Sequence, residues 1–123
     1  MAVTYTTAAK TARITATRDH FADGTLEIGT AGMAQVLATF GLDAAGGTIS
    51  GDTWTLVFDA SSVSASGTGT AAAAQIKRSA GNGAAADITG LTVGTAATDI
   101  ILDNDSITSG QTVTLSSATI QHA

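Results

Sequence analysis

Residues 112–120 read Thr-Val-Thr-Leu-Ser-Ser-Ala-Thr-Ile, a run in which apolar side chains alternate with threonine and serine. Alternation with a period of two sends successive side chains to opposite faces, which is typical of a half-buried β-strand. Ile120 is out of phase with Val113 and Leu115, and a β-bulge near Ser116-Ser117 would restore its phase. The stretch therefore predicts one strand with one bulge.

The chain from Leu26 onward has the same β character, because threonine and valine favour strands and glycine clusters separate them. Short strands at regular spacing predict a mainly β fold, an antiparallel β-sandwich or barrel-like domain. The other predicted strands are Thr25–Gly29, Ala34–Phe40, Thr48–Ser50, Thr53–Phe58, Ser62–Ser66, Thr70–Lys77, Asp87–Val93 and Asp99–Leu102. Turns are predicted at Gly46-Gly47, Gly51-Asp52, Gly81-Asn82-Gly83, Thr95–Thr98 and Ser109-Gly110. Among these turns, Gly46-Gly47 and Asn82-Gly83 are typical of hairpins.

Residues 1–22 have a different pattern, in which alanine and aromatic side chains recur near helical spacing. Thr6 or Thr7 is placed to cap the N-terminus of a helix. Asp23-Gly24 provides a stop, with the glycine available for a left-handed C-cap. We therefore predict one N-terminal α-helix at about 7–22.

Small side chains dominate the composition, since 71 of the 123 residues are alanine, glycine, threonine or serine. Isoleucine, leucine, valine and phenylalanine number only 25. A single domain over residues 1–123, with its β region at about 25–121, would therefore have a thin core. No cysteine is present to form a disulfide, so association with further copies is the remaining source of stability. The composition predicts a homo-oligomer.

The charge balance and the lack of long apolar runs exclude two classes of partner. Ten acidic residues against five basic ones argue against nucleic acid, because binding to phosphates needs lysine and arginine. Lys77-Arg78 is a basic pair, and two charges do not make a patch. No apolar run is long enough to span a membrane, and the first residues lack an apolar leader segment. Neither a nucleic-acid nor a membrane partner is expected.

Reactive side chains are scarce, so we expect a protein that is not an enzyme, with no catalytic, cofactor-binding or metal-binding residues. His20 stands beside Asp19 and Asp23, and a His–Asp pair suits a general base, but no nucleophile has a matching context. A solvated helix end is the favoured interpretation. Gly67–Gly69 and Gly81–Gly83 lack the lysine and the following helix of a phosphate loop, so they indicate hairpin turns.

Asp99, Asp103 and Asp105 lie close together in the sequence, around Asn104. Several oxygen ligands suit calcium, but the spacing has neither the glycine nor the closing glutamate of an EF-hand loop. A polar turn between strands, in which Asp and Asn bind nearby backbone groups, is the favoured interpretation. Whether the three aspartates bind a cation stays open at this point.

Trp54 is the sole tryptophan of the chain, within Thr-Trp-Thr-Leu-Val-Phe at 53–58. Core packing is the favoured role, with an interface anchor and a ligand-stacking residue as alternatives. We also expect Phe40, Phe58 and Ile101 in the core.

Several segments together resemble small structural proteins of tailed bacteriophages of the head decoration type. The segments that carry the resemblance are Leu26–Thr30, Ala65–Ala71, Gln75–Asn82, Val93–Leu102 and Ile107–Leu115. In that family a helix precedes a β domain with a Gly-Thr-Ala, Arg-Ile and Ser-x-Gly strand pair and an Ile-x-x-Gly-x-x-Val ending. This chain has Gln75-Ile76-Lys77 where the family has Arg-Ile.

The resemblance implies a virion component made in the host cytoplasm, with the major capsid protein as its partner. Its implied function is capsid decoration or cementing, in which the protein binds and stabilises the assembled phage head. The shared motifs describe turns and strands, so no functional residue is carried over. Two alternatives stay open: a tail or baseplate component, and a carbohydrate-binding module for host recognition that would depend on Trp54.

Overall fold

The computed structural model describes residues 4–78 and 88–121. Strands make up 47% of the structure and helix 17%, and the strands form a curled, mixed sheet with the shape of a half-barrel. The expected class, a mainly β, sandwich-like domain with one N-terminal helix, is confirmed.

Helix α1 covers Thr7–Phe21, one residue shorter than predicted. Thr6 is its N-cap, because the Thr6 hydroxyl accepts a hydrogen bond of 3.2 Å from a backbone N–H in the first turn. The left-handed residue after the helix is Asp23, with φ 62°, and not Gly24 as predicted. Gly24 is required instead for close approach, since a Cβ there would collide with the backbone carbonyl of Lys77.

Eleven strands follow α1 in the described part of the chain, and a short 3-10 turn at Ala31–Met33 separates the first two. The strands are β1 Thr25–Gly29, β2 Val36–Gly41, β3 Thr48–Ser50, β4 Thr53–Thr55, β5 Ser62–Ser64, β6 Gly69–Thr70, β7 Ala73–Lys77, β8 Ile88–Gly94, β9 Ile100–Leu102, β10 Ser106–Ile107 and β11 Thr112–Gln121. Every predicted strand has a counterpart, and β10 is additional.

Some predicted strands are too long because the backbone changes partner within them. The strand predicted at 53–58 ends at Thr55, since the carbonyl of Val57 accepts a hydrogen bond from Asp43 beyond the end of β2. The strand predicted at 70–77 is divided into β6 and β7. At the break, Ala71 donates to the carbonyl of Asp105, while the next N–H donates to the end of β1.

The main sheet has the strand order β2-β1-β7-β8-β9-β11-β4-β3, with β5 also paired to β11. Strands β6 and β10 form a separate pair. All strand pairs among the described residues are antiparallel except β8 with β9, which are parallel, so the sheet is mixed. Parallel neighbours ordinarily need a long crossover. Here the bend at 95–99 is long enough to connect the parallel neighbours, because the pairing is short: only Val93 and Gly94 pair with Ile100 and Ile101.

The alternating stretch that indicated the fold becomes β11, the longest strand. Its beginning pairs with β5, its middle with β9 and its end with β4, so three short strands all pair with this one. The register against β9 shifts between Leu115 and Ser117, which confirms the predicted bulge.

Residues 57–66 connect β2, at one end of the sheet, with β11. Asp59 donates to the carbonyl of Gly41 at 2.9 Å, and Ser66 donates to the carbonyl of Leu37 at 2.8 Å, both on β2. These two hydrogen bonds cover the outer edge of β2. Since β5 in the same segment pairs with β11, the segment also closes that side of the half-barrel.

The core lies inside the curl of the sheet, and α1 contributes Ile14 and Phe21 to it. Of the four core predictions, Phe40 and Trp54 are fully buried and Phe58 is partly buried against the same cluster. The prediction for Ile101 is wrong: it is half-buried while both its neighbours on β9 are buried. Successive strand residues face opposite sides, so the middle of three apolar residues points away from the core.

Two of the predicted hairpin turns are wrong. Gly46-Gly47 joins β2 to β3, which do not pair with each other, because β2 pairs with β1 and β3 with β4. Gly67–Gly69 likewise connects strands with different partners. The turns at Gly51-Asp52 and Ser109-Gly110 are confirmed, and the first of these is the loop of the β3–β4 hairpin. Gly81-Asn82-Gly83 lies outside the described residues.

Candidate functional site

Trp54 lies in the core between the sheet and the end of α1. Its indole Nε1 donates to the backbone carbonyl of Gly46 at 2.9 Å, and its ring stacks on Phe21 with the centroids 6.3 Å apart. The side chain has no exposed surface. The core interpretation is therefore confirmed, and both alternatives for this residue, an interface anchor and a ligand-stacking ring, are wrong.

The Asp99 carboxylate forms hydrogen bonds with Thr92 of the same chain. Its Oδ2 accepts hydrogen bonds from the backbone N–H of Thr92 at 3.0 Å and from the Thr92 hydroxyl at 3.1 Å. The backbone N–H of Asp99 donates in return to the Thr92 hydroxyl at 3.1 Å. These reciprocal bonds join the start of the short parallel pair to the bend that precedes β9. We call them the Thr92–Asp99 clasp.

The remaining acidic residues of this region lie in the connection from β9 to β10. Asn104 accepts a hydrogen bond from the backbone N–H of Ser106 at 3.0 Å, which is the polar turn that the sequence predicted. The backbone carbonyl of Asp105 accepts from Ala71. No group of three or more metal-ligating side chains occurs within residues 4–78 and 88–121. The geometry of the described residues agrees with the turn interpretation.

Replacing Asp99 with alanine should lower the free energy of unfolding by about 1–2 kcal/mol, because two donors of Thr92 lose their acceptor. Urea unfolding measures the loss, and a double-mutant cycle with Thr92→Val should show that the two effects overlap. Asp103→Ala is the matched control, since the exposed Asp103 side chain should change stability by less than about 0.5 kcal/mol. Equal losses for the two aspartates, or a melting temperature raised by calcium, would contradict the clasp as the role of Asp99.

The His20 region has the character of an exposed helix end. His20 lies in the last turn of α1 and its ring packs edge-on against Phe21, with the centroids 4.9 Å apart. The Asp19 carboxylate binds Arg18 at 3.0 Å. The backbone N–H of Asp23 donates to the backbone carbonyl of Asp43, just beyond the end of β2. The structure therefore places the Asp19 carboxylate against Arg18 at this helix end.

A cleft of about 390 Å³ opens between the 3-10 turn and strands β7 and β8. Met33 and Leu91 give it apolar walls, and Gly32, Gly90 and Gln75 also line it. None of the residues that line it has an ionisable side chain. The cleft can receive an apolar or small polar group, but its walls offer no acid or base for catalysis.

A polar network that sequence reasoning missed lies next to this cleft. Glu27 Oε1 accepts a hydrogen bond from Gln75 Nε2 at 2.7 Å and lies 3.3 Å from Lys77 Nζ. The side chains of Glu27 and Lys77 are only 16% and 25% exposed. Glu27 lies directly opposite Gln75 in the β1–β7 ladder, so the antiparallel register brings the three together. A lone glutamate gives no sequence pattern that would have indicated this network.

In the part that the structure describes, α1 is neither long nor apolar enough to cross a membrane, and it is the only α-helix there. Comparisons with protein-family models, with curated proteins and with solved structures find no match to this chain.

Proposed function

We propose that this chain is a non-enzymatic structural protein of a phage virion, a decoration or cement protein that binds the major capsid protein and stabilises the assembled head. Free copies would also associate with one another. No cofactor, nucleic acid or membrane takes part in this function. A tail or baseplate role is the alternative, and it is separated from the first by the experiment below.

The observation that carries the proposal is where the phage-like segments lie in the fold. They are scattered between residues 26 and 115, and they contribute to β1, β7, β8, β9 and β11 and also to the separate pair of β6 and β10. The first five of these strands are consecutive neighbours in the main sheet. The segments therefore lie mainly in one part of the main sheet, and none of them contributes to β2, β3 or β4. The placement supports a shared β framework rather than chance similarity in composition.

The surface chemistry suits a protein that acts by fitting a surface. Exposed positions on the strands are mostly threonine and serine, whose small side chains allow close approach of another backbone. A cement protein that binds only the expanded shell stabilises that state by mass action. Such binding requires shape and hydrogen-bonding groups and needs no general acid or base. The acidic net charge of −5 keeps the free protein away from packaged nucleic acid.

The test is co-sedimentation of the purified chain with empty capsids of the phage that carries the gene, in expanded and unexpanded form. Isolated tails of the same phage are the parallel control. We expect saturable binding to expanded capsids alone, together with a higher temperature of capsid disassembly when the chain is bound. Saturation also gives the number of copies per shell.

The other outcomes are equally decisive. Saturable binding to tails alone would replace the proposal by the tail or baseplate role. Binding to neither particle would refute a virion role, and recognition of a host glycan would then be the favoured hypothesis. Any glycan site would then have to use residues other than Trp54, because that ring is buried.

A further inference from the structure

Two large apolar side chains are exposed in the described residues, Tyr5 at 37% and Val57 at 39%. Each stands among charged groups, and the charges at the two places have opposite sign. All other large apolar side chains of the described chain are buried or half-buried. Because the charges around the two residues have opposite sign, the two places are electrostatically complementary.

The first surface, the Tyr5 patch, consists of Tyr5, Lys10 and Arg13 near the beginning of α1. The guanidinium of Arg13 lies over the Tyr5 ring, 3.9 Å from its centroid, so an apolar face and a positive charge are presented together. Residues 4–22 carry three basic side chains and one acidic side chain, although the whole chain has a net charge of −5. The helix is thus the basic part of an acidic protein.

The second surface, the Val57 patch, consists of Val57, Asp59 and Asp43. The carbonyl of Val57 accepts a hydrogen bond of 3.0 Å from the backbone of Asp43, which places these residues side by side. Val57 and Asp59 are both exposed, and they lie on either side of the half-buried Phe58. The patch therefore combines the exposed side chains of Val57 and Asp59. The half-buried Asp43 carboxylate beside them accepts a hydrogen bond of 2.6 Å from the backbone N–H of Gly46.

The two patches lie at opposite ends of α1. Tyr5 precedes the helix, whereas Asp23, just after it, donates a backbone hydrogen bond to Asp43 in the second patch. A helix of this length separates them by about 20 Å. One molecule therefore cannot bring its own two patches together, but two molecules in a row can.

We propose that the Tyr5 patch of one copy of this chain docks on the Val57 patch of a second copy. The contact is head-to-tail, because the two surfaces differ, and repetition of it gives a ring or a row of copies. This inference rests on the self-association included in the proposed function. It is tested on the free protein, without capsids, so that its failure is distinct from a failure of the capsid role.

The test is a charge exchange followed by sedimentation velocity over a range of concentrations. The variants Arg13→Glu and Asp59→Arg should each weaken self-association by about fivefold or more, because an attractive pair becomes a repulsive one. An equimolar mixture of the two variants should associate again, since the reversed helix of one fits the reversed patch of the other. Asp103→Arg is the matched control, an exposed aspartate outside both patches that should leave association unchanged.

Raised salt should weaken the wild-type association, as expected for a contact between exposed charges. Val57→Ser should weaken it without changing its salt dependence, and circular dichroism establishes that each variant is folded. A wild type that stays monomeric up to about 1 mM would overturn the proposal. So would association that ignores both charge reversals, or a mixture that does not recover. If variants that no longer self-associate still bind capsids saturably, the decoration role stands independently of this contact.

Discussion

Replacing Trp54 with alanine should lower the free energy of unfolding by about 3–5 kcal/mol. The side chain is fully buried, it stacks on Phe21 of α1, and its indole N–H binds the carbonyl of Gly46. The substitution leaves a cavity and an unpaired buried carbonyl, and it removes one of the contacts between α1 and the sheet. Proteins of this size are stable by only about 5–15 kcal/mol, so the loss takes a large part of the total.

Urea unfolding followed by far-ultraviolet circular dichroism is the suitable measurement, because the variant loses the sole tryptophan and with it the fluorescence signal. Trp54→Phe is the matched control. It keeps an aromatic ring against Phe21 but loses the N–H donor to Gly46, so we expect a smaller loss of about 1–3 kcal/mol. A loss below about 1 kcal/mol for Trp54→Ala would show that this ring contributes little to the stability of the core.

The size of this effect has a consequence for functional experiments. Because Trp54→Ala damages the fold, loss of glycan or capsid binding in that variant would carry no information about a binding site. Substitutions at exposed positions, such as Arg13 and Asp59, are the informative ones.

Replacing Gly47 with alanine should also be strongly destabilising, by about 3–5 kcal/mol. Gly47 has φ 121°, in a region that side-chain-bearing residues rarely adopt. A Cβ at this position would lie 3.0 Å from both the Leu56 Cα and the Trp54 Nε1, and it would collide with the Thr55 carbonyl. Backbone strain and steric overlap therefore add, next to the residue that anchors the core.

Gly110→Ala separates these two causes. Gly110 also has positive φ, 86°, but no atom lies within 4 Å of the added Cβ. We expect this control to lose only about 1 kcal/mol, the cost of the backbone conformation by itself. Thermal and urea unfolding of the two variants give the comparison. Equal losses would mean that strain alone accounts for the effect at Gly47 and that the packing around it is loose.

Local patterns in the sequence were sufficient for the class of fold and for much of its content. Period-two alternation gave β11 and its bulge, and helical spacing with a threonine cap gave α1 to within one residue. They also placed Trp54 in the core and interpreted the residues around Asn104 as a turn. Each of these properties depends on residues that are near each other in the chain, where propensity, periodicity and capping act.

Tertiary structure alone decided which strands are neighbours. Nothing local distinguishes Gly46-Gly47, which joins unpaired strands, from a hairpin turn. The difference lies in distant parts of the chain, because β2 has β1 on one edge and residues 57–66 on the other, while β3 pairs with β4. The parallel β8–β9 pair, the closure of the sheet by residues 57–66, the Thr92–Asp99 clasp and the Glu27 network have the same origin. Alternation determines which face a side chain occupies, whereas strand pairing is settled by the burial of the whole core, to which distant parts of the chain contribute together.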